Sequence, residues 1–256
     1  MKTKILYEDD ALFVIHKPVG IAVQSARIGQ MDVESELRNY LSVRSKDITN
    51  VSRRTSTHNM KTKKPYIGLV HRLDQPVEGL LVVAKTQLAA AGLNRQLSVG
   101  SLNKKYLAVV CIEDDHVKAS ADFIDYMIKE GSVAKIVDFD NKQCVEDACA
   151  KSAISDVAKK ACLHYDIIHK QEKLALVDIQ IETGRFHQIR CQMAHHQMPL
   201  LGDVKYGSNT AMELSRKLGI RQTALCADRI AFEHPVSGRV LEFQIKPENV
   251  AFSKFL

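Results

Sequence analysis

A chain of 256 residues with 45% hydrophobic side chains has the make-up of an ordinary soluble globular protein and is long enough to bury a real core, so one domain is expected. Its formal charge of +6 and sequence pI near 8.9 favour an anionic partner such as nucleic acid, although an excess of this size also occurs in proteins that bind nothing anionic. The first apolar run, ALFVI, follows acidic residues and is too short for a signal-peptide core or a membrane span; secreted and membrane classes are thereby excluded, and a cytoplasmic protein is expected.

From the N-terminus, ILYEDDALFVIHKPVGIAV reads as two short strands split by acidic residues and closed by a turn at Pro18 and Gly20. DVESELRNYL (32–41) predicts a short helix, with Asp32 as N-cap and Leu37, Tyr40 and Leu41 on one side. Over 44–64 the composition changes to Ser, Thr, Asn, Lys and Arg, and a mobile basic loop is expected there, either a solvated insertion or a contact to phosphate. The polar HRLDQP then leads to GLLVVAK, a continuous apolar run of the length and Val content of a buried strand. QLAAAGLNRQL predicts a helix and KKYLAVVCI a strand in which Tyr106, Ala108 and Val110 share a face.

The stretch 113–162 is the least legible: 135–139 resembles a strand, and DACAKSAISDVAKKA has a helical composition without a clean apolar stripe. ALVDIQIETGR alternates, with Ala175, Val177, Ile179 and Ile181 on one face, and ends at a Thr-Gly turn before the helical FHQIRCQMAHH. PLLGDVKYG and EHPVSGR are turn-rich, and RVLEFQI is a last strand. Strands and helices mix without a βαβ beat or an internal repeat, which predicts an α+β fold with a mixed, largely antiparallel central sheet and flanking helices.

No glycine-rich phosphate loop, G-x-S-x-G elbow or zinc-deaminase cysteine pair is present. The six cysteines, at 111, 144, 149, 162, 191 and 226, form no C-x-x-C pair; they read as buried reduced thiols, and no metal site is expected, since Cys144 and Cys149 with His164 and His169 match no closed zinc spacing. Carboxylate chemistry remains. A carboxylate, with an ordinary pKa of about 3.9, is ionised at neutral pH and needs no base to act as a nucleophile, and Asp74 is the candidate. A guanidinium would keep it charged once substrate displaced water, and Arg185, where an amphipathic strand turns into a helix, is the candidate. Taken singly, an Asp in a polar loop is most often a turn-former or cap, and an Arg a solvated charge.

In combination these residues say more. HRLDQPVEGLLVVAK, KKYLAVV, ETGRFHQIRCQMAHHQMPLLGDVKYG and LCADRIAFEHPVSGRVLEF, in this order, resemble the RluA-type pseudouridine synthases, and YEDDALFVIHKPVGIAV resembles the opening segment of that family. The resemblance implies a single pseudouridine synthase catalytic domain over 1–256 that isomerises uridine in structured ribosomal or transfer RNA, as a monomer without cofactor or metal. It implies Asp74 as catalytic carboxylate, Tyr106 as the ring stacked on the target base, Arg185 as the partner of Asp74, and Arg72 as the side chain entering the RNA stack when the uridine leaves. His71, Leu73, His187, Gln188 and Arg190 are implied as further RNA contacts.

The chain departs from the family at Val77 and Glu78, where Thr-Ser is usual, and at Gln192 and Cys226, where His is usual. It is expected to lack the N-terminal S4 domain of many members and to supply its RNA contacts from the catalytic domain. Two rival activities are a catalytically silent RNA-binding protein and a hydrolase in which water captures the sugar.

Overall fold

The continuous apolar runs of the sequence become strands buried on both faces. In the computed structural model, which describes residues 1–25, 29–52, 64–114, 116–137 and 158–255 (backbone alone for 45–52), contacts group the chain into two units. The first comprises Met1–Asn103 with Arg229–Ile245, the second Lys104–Asp228 with Lys246–Leu256.

In the first unit, β2 (Leu12–Lys17) and β4 (Glu78–Ala84) are buried at every position and pair antiparallel from Leu12 opposite Ala84 to Lys17 opposite Gly79. Gly79 has a φ of 137°, open to glycine and closed to side-chain-bearing residues. β1 (Lys4–Glu8) pairs with β2 and the two-residue β3 (Gly68–Leu69) with β4. Helix α2 (Gln87–Ser98) starts at Thr86, whose Oγ1 accepts the Ala89 N–H at 3.1 Å. It lays Ala89, Ala90 and Leu93 on a core that includes Leu12, Val14, Leu80, Val82, Ile230 and Phe232. β10 (Leu225–Glu233) carries the chain back into this unit and pairs antiparallel with β11 (Val240–Gln244).

The second unit is built on β5 (Asn103–Cys111) paired with β9 (Leu174–Ile181), β9 with β8 (Lys159–Gln171), and β8 with β6 (Ser120–Glu130), which turns through Gly131 and Ser132 into β7 (Val133–Ile136). All of these pairings are antiparallel. Two helices follow, α3 (Gln188–His195) and α4 (Asn209–Lys217), and a 3₁₀ turn spans Val250–Lys254. The expected α+β fold with a largely antiparallel sheet and flanking helices is thus present. Among the described residues no helix is long and apolar enough to cross a membrane.

The structure departs from the sequence expectations in three places. Helix α1 begins at Val33, with Asp32 Oδ1 accepting the Ser35 N–H at 2.7 Å as predicted, but it runs to Ser52. The expected loop is therefore helical over 44–52, because no Gly or Pro interrupts Val33–Ser52 and a polar composition suits a solvated helix as well as a loop; residues 53–63 lie outside the described ones. Second, strands β6, β8 and β10 had no sequence expectation as strands. Along β6 only Phe123 and Met127 are buried, so a weakly patterned half-exposed strand left no alternation to read, and Lys159–Ala161, read as the tail of a helical stretch, belong to β8. Third, α4 had no sequence expectation. Cys111, Cys162, Cys191 and Cys226 are buried reduced cysteines as expected, and burial pushes the Cys111 and Cys191 thiols up to about 11; Cys144 and Cys149 lie outside the described residues.

Candidate active site

In the first unit Asp74 opens a turn whose centre is Gln75-Pro76: its carbonyl accepts the Val77 N–H at 3.1 Å, after which β4 begins. Pro76 leaves no N–H to satisfy within the turn. Asp74 itself is half-buried, between buried Leu73 and the exposed Gln75. The turn is stitched to the Pro18–Gly20 turn that ends β2. Gly20 N–H donates to the Gln75 carbonyl at 2.9 Å, and Gln75 Nε2 returns a bond to the Gly20 carbonyl at 3.0 Å. Gly20 holds a φ of 86° there, which glycine alone adopts at no cost.

Beneath both turns lies Lys17, fully buried at the end of β2. Its Nζ donates to the carbonyls of Pro18 (3.0 Å), Ile21 (2.9 Å) and Gln75 (3.3 Å), so a single ammonium gathers backbone oxygens from the two turns. Burial pulls its pKa from 10.5 down to about 8, against the upward pull of the Asp74 and Glu78 carboxylates. Glu78, one of the departures from the family pattern, is buried at the head of β4 with Oε2 3.7 Å from His16 Nε2. The turn carrying Asp74 therefore rests on a buried group of charges.

The neighbours of Asp74 have distinct surroundings. His71 Nε2 accepts the backbone N–H of Val82 at 3.1 Å, which ties the segment entering the turn to β4 and places the neutral-ring proton on Nδ1. Arg72 is exposed and reaches Gln24 Oε1 at 3.2 Å.

In the second unit Tyr106 is buried in β5 opposite Ile179 of β9. Arg185 is exposed; its Nε donates to the Lys160 carbonyl at 2.9 Å, which fixes the base of the guanidinium. Gln188 braces this segment from below. Its Oε1 accepts from Thr183 Oγ1 (2.8 Å) and from the Arg185 N–H (3.0 Å), and its Nε2 donates to the Cys162 carbonyl at 3.0 Å. His187 sits at the head of α3 in the left-handed region, φ 52°. Its Nδ1 is 2.8 Å from Tyr206 Oη, and its ring stacks on exposed Phe186 at 3.7 Å, with Lys129 Nζ 5.1 Å from the Phe186 ring centre. Arg190 is buried and pairs in two places with Asp203, Nε to Oδ2 at 2.6 Å and Nη2 to Oδ1 at 2.8 Å.

Of the residues expected to meet RNA, Arg72 is exposed and His71 and His187 are half-buried, whereas Leu73 is buried and the polar atoms of Gln188 and Arg190 are taken up inside the protein. Lys17, Gln75 and Tyr206 were not singled out by the sequence reading. A lysine after an apolar strand reads as a surface charge, and only the turn at Pro18 and Gly20 hinted that the chain folds back there.

The sequence profile described as RNA pseudouridylate synthase matches residues 11–195. A protein of Xanthomonas campestris named ribosomal large subunit pseudouridine synthase D is 30% identical over 241 residues, 91% of this chain; the chain spans 62% of that relative's length. The protein of the same name from Zymomonas mobilis is 32% identical over 94% of this chain and 68% of its own length. An uncharacterized RNA pseudouridine synthase of Bacillus subtilis is 31% identical over 98% and 71%. Among solved structures, human RNA pseudouridylate synthase domain containing 4 superposes with a TM-score of 0.67 at 22% identity, covering 96% of this chain and 89% of that one, a likeness of fold.

Proposed function

This chain belongs to the RNA pseudouridylate synthase family, and from that premise we propose that it isomerises uridine to pseudouridine in RNA, with the whole chain acting as one catalytic domain. The observation that carries the reading is the fixed presentation of Asp74. Its turn is locked to a second turn by reciprocal backbone and side-chain bonds and by the buried Lys17 ammonium. A capping Asp needs no such support, whereas a carboxylate that must meet one carbon of a flipped nucleotide does.

In this reading the N1–C1′ bond of the uridine breaks, the uracil turns while held, C5 bonds to C1′, the C5 proton leaves to solvent and N1 takes up a proton. Nothing is oxidised and no group is transferred, so the reaction calls for no cofactor. Asp74 attacks either C6 of uracil or C1′ of ribose; Tyr106 stacks on the base; Arg185 keeps the reacting carboxylate ionised. The base must leave its stack to be reached, at a cost of a few kcal/mol, which Arg72 offsets by entering the gap. Gln188 holds the Arg185 segment in place. The enzyme works in the cytoplasm as a monomer, and the names of the bacterial relatives make large-subunit ribosomal RNA the substrate to test first.

The test is release of tritium from C5 of uridine in large-subunit ribosomal RNA transcripts, with site-resolved mapping of pseudouridine. Catalytic release and new pseudouridine at discrete positions are expected. Free uracil in the supernatant would mark a hydrolase, and tight binding without release a silent RNA-binding protein; either overturns the proposal.

A further inference from the structure

The second unit holds a group of side chains with no part in the reading above. Asp125 on β6 and His195 and His196 at the end of α3 each offer one ligand atom, and these atoms lie within 4.8 Å of one another. His196 Nε2 is 3.2 Å from Asp125 Oδ1 and 3.1 Å from Oδ2. In a tetrahedral zinc site with bonds of 2.0–2.1 Å, neighbouring ligand atoms stand about 3.3 Å apart, so this pair already has the required separation. The ring of exposed His195 lies at 89° to that of His196, centres 5.0 Å apart.

The ligands are also oriented from behind. Gln192 Nε2 donates to Asp125 Oδ2 at 2.6 Å and approaches the carbonyls of Phe123 (3.4 Å) and Ala161 (3.3 Å). Phe123 stacks on the His196 ring at 3.7 Å and 15°. The Asp125 side chain is 10% exposed and that of His196 32%: the carboxylate is sheltered, while the imidazole side opens to solvent. An aromatic wall and an amide on the carboxylate are the kind of support that fixes metal ligands.

We propose that Asp125, His195 and His196 form a binding site for a borderline divalent cation, zinc foremost, with solvent completing the shell. Two imidazoles and one carboxylate suit zinc, cobalt or nickel; magnesium and calcium require oxygen-rich cages. The bound ion ties the C-terminal end of α3 to β6, and its role is structural. The site departs from the expectation of no metal because Asp125 and His196 are 71 positions apart, a separation that no compact ligand motif spans.

The test titrates zinc into the chelator-treated full chain by calorimetry, with cobalt as an optical probe. One saturable equivalent is expected, with a cobalt spectrum free of thiolate charge transfer and a rise in Tm on adding zinc. His195→Ala, at an exposed position that should not disturb folding, abolishes both binding and the Tm rise, Asp125→Asn does the same, and Gln192→Ala weakens binding about tenfold. Absence of saturable binding, survival of binding in His195→Ala, or a thiolate band pointing to the cysteines overturns the proposal.

Discussion

The segments carrying Asp74 and Arg185 are both short turns between regular elements, yet they are held in opposite ways. The Asp74 turn rests on a buried ammonium that binds three backbone carbonyls, with a buried Glu78 near it. The Arg185 segment rests on a neutral amide, Gln188, and leaves its guanidinium exposed, anchored through one bond to Lys160. A carboxylate that must act at one atom gains from a rigid backbone, which the buried cation beneath the turn supplies. A guanidinium that is to pair with a reacting carboxylate gains from neutral bracing, which fixes its backbone without competing for its charge. If this contrast is right, damage to the first segment should abolish chemistry or fold, and damage to the second should be graded.

The largest effect is expected from Asp74→Asn. The shape is kept and the negative charge lost, so tritium release should fall below detection while RNA affinity and Tm stay close to those of the parent. Appreciable turnover by this variant would remove Asp74 from the reaction and dissolve the contrast.

Lys17→Met comes next. It leaves three carbonyls and a buried carboxylate without their cation, which should cost about 3 kcal/mol of stability by denaturant titration and lower kcat more than it raises KM. Lys17 also gives the comparison a pH signature. Its folded pKa of about 8 lies below the ordinary 10.5, so between those values the unfolded chain binds the extra proton. Burying the charged Lys17 is therefore penalised at neutral pH relative to its neutral amine, separately from the three hydrogen bonds lost in Lys17→Met, and that penalty is relieved as pH rises from about 8 to 10.5. Turnover should move the other way, falling as pH passes about 8 and the ammonium beneath Asp74 discharges. A parent whose stability in this range runs parallel to that of Lys17→Met, or whose kcat shows no inflection near 8, would contradict this account.

In the Arg185 segment, Gln188→Ala removes bonds to Thr183, Cys162 and the Arg185 N–H. A loss of about 2 kcal/mol is expected, visible as a lower Tm, together with a partial drop in kcat. A variant with kcat as low as that of Asp74→Asn would show the two segments to be equally demanding. Arg72→Ala should have the smallest effect and the most selective one. Under saturating enzyme, single-turnover rates should fall further on a uridine in a structured stem-loop than on the same sequence in an unstructured strand, because only the stacked base leaves a gap to fill. Equal losses on both would assign Arg72 to phosphate contact.

How much of this could be read from the chain depends on how local each determinant is. Sequence alone determined the strands that are buried on both faces, β2, β4 and β5, because a continuous apolar run of that length has few other places to go. It determined the caps at Asp32 and the turn at Asp74, where one side chain or one proline acts on its immediate neighbours, and through the ordered motifs it determined the family. Tertiary structure decided the rest. β6 is a strand because β7 and β8 pair with it. Lys17 is buried because two turns converge on it, Arg190 because Asp203 meets it, and Asp125 joins His195 and His196 only once β6 packs beside α3. Each of these is a polar or weakly patterned residue whose environment is supplied by partners distant in sequence, and a charge reads as solvated until the fold brings the groups that compensate its burial.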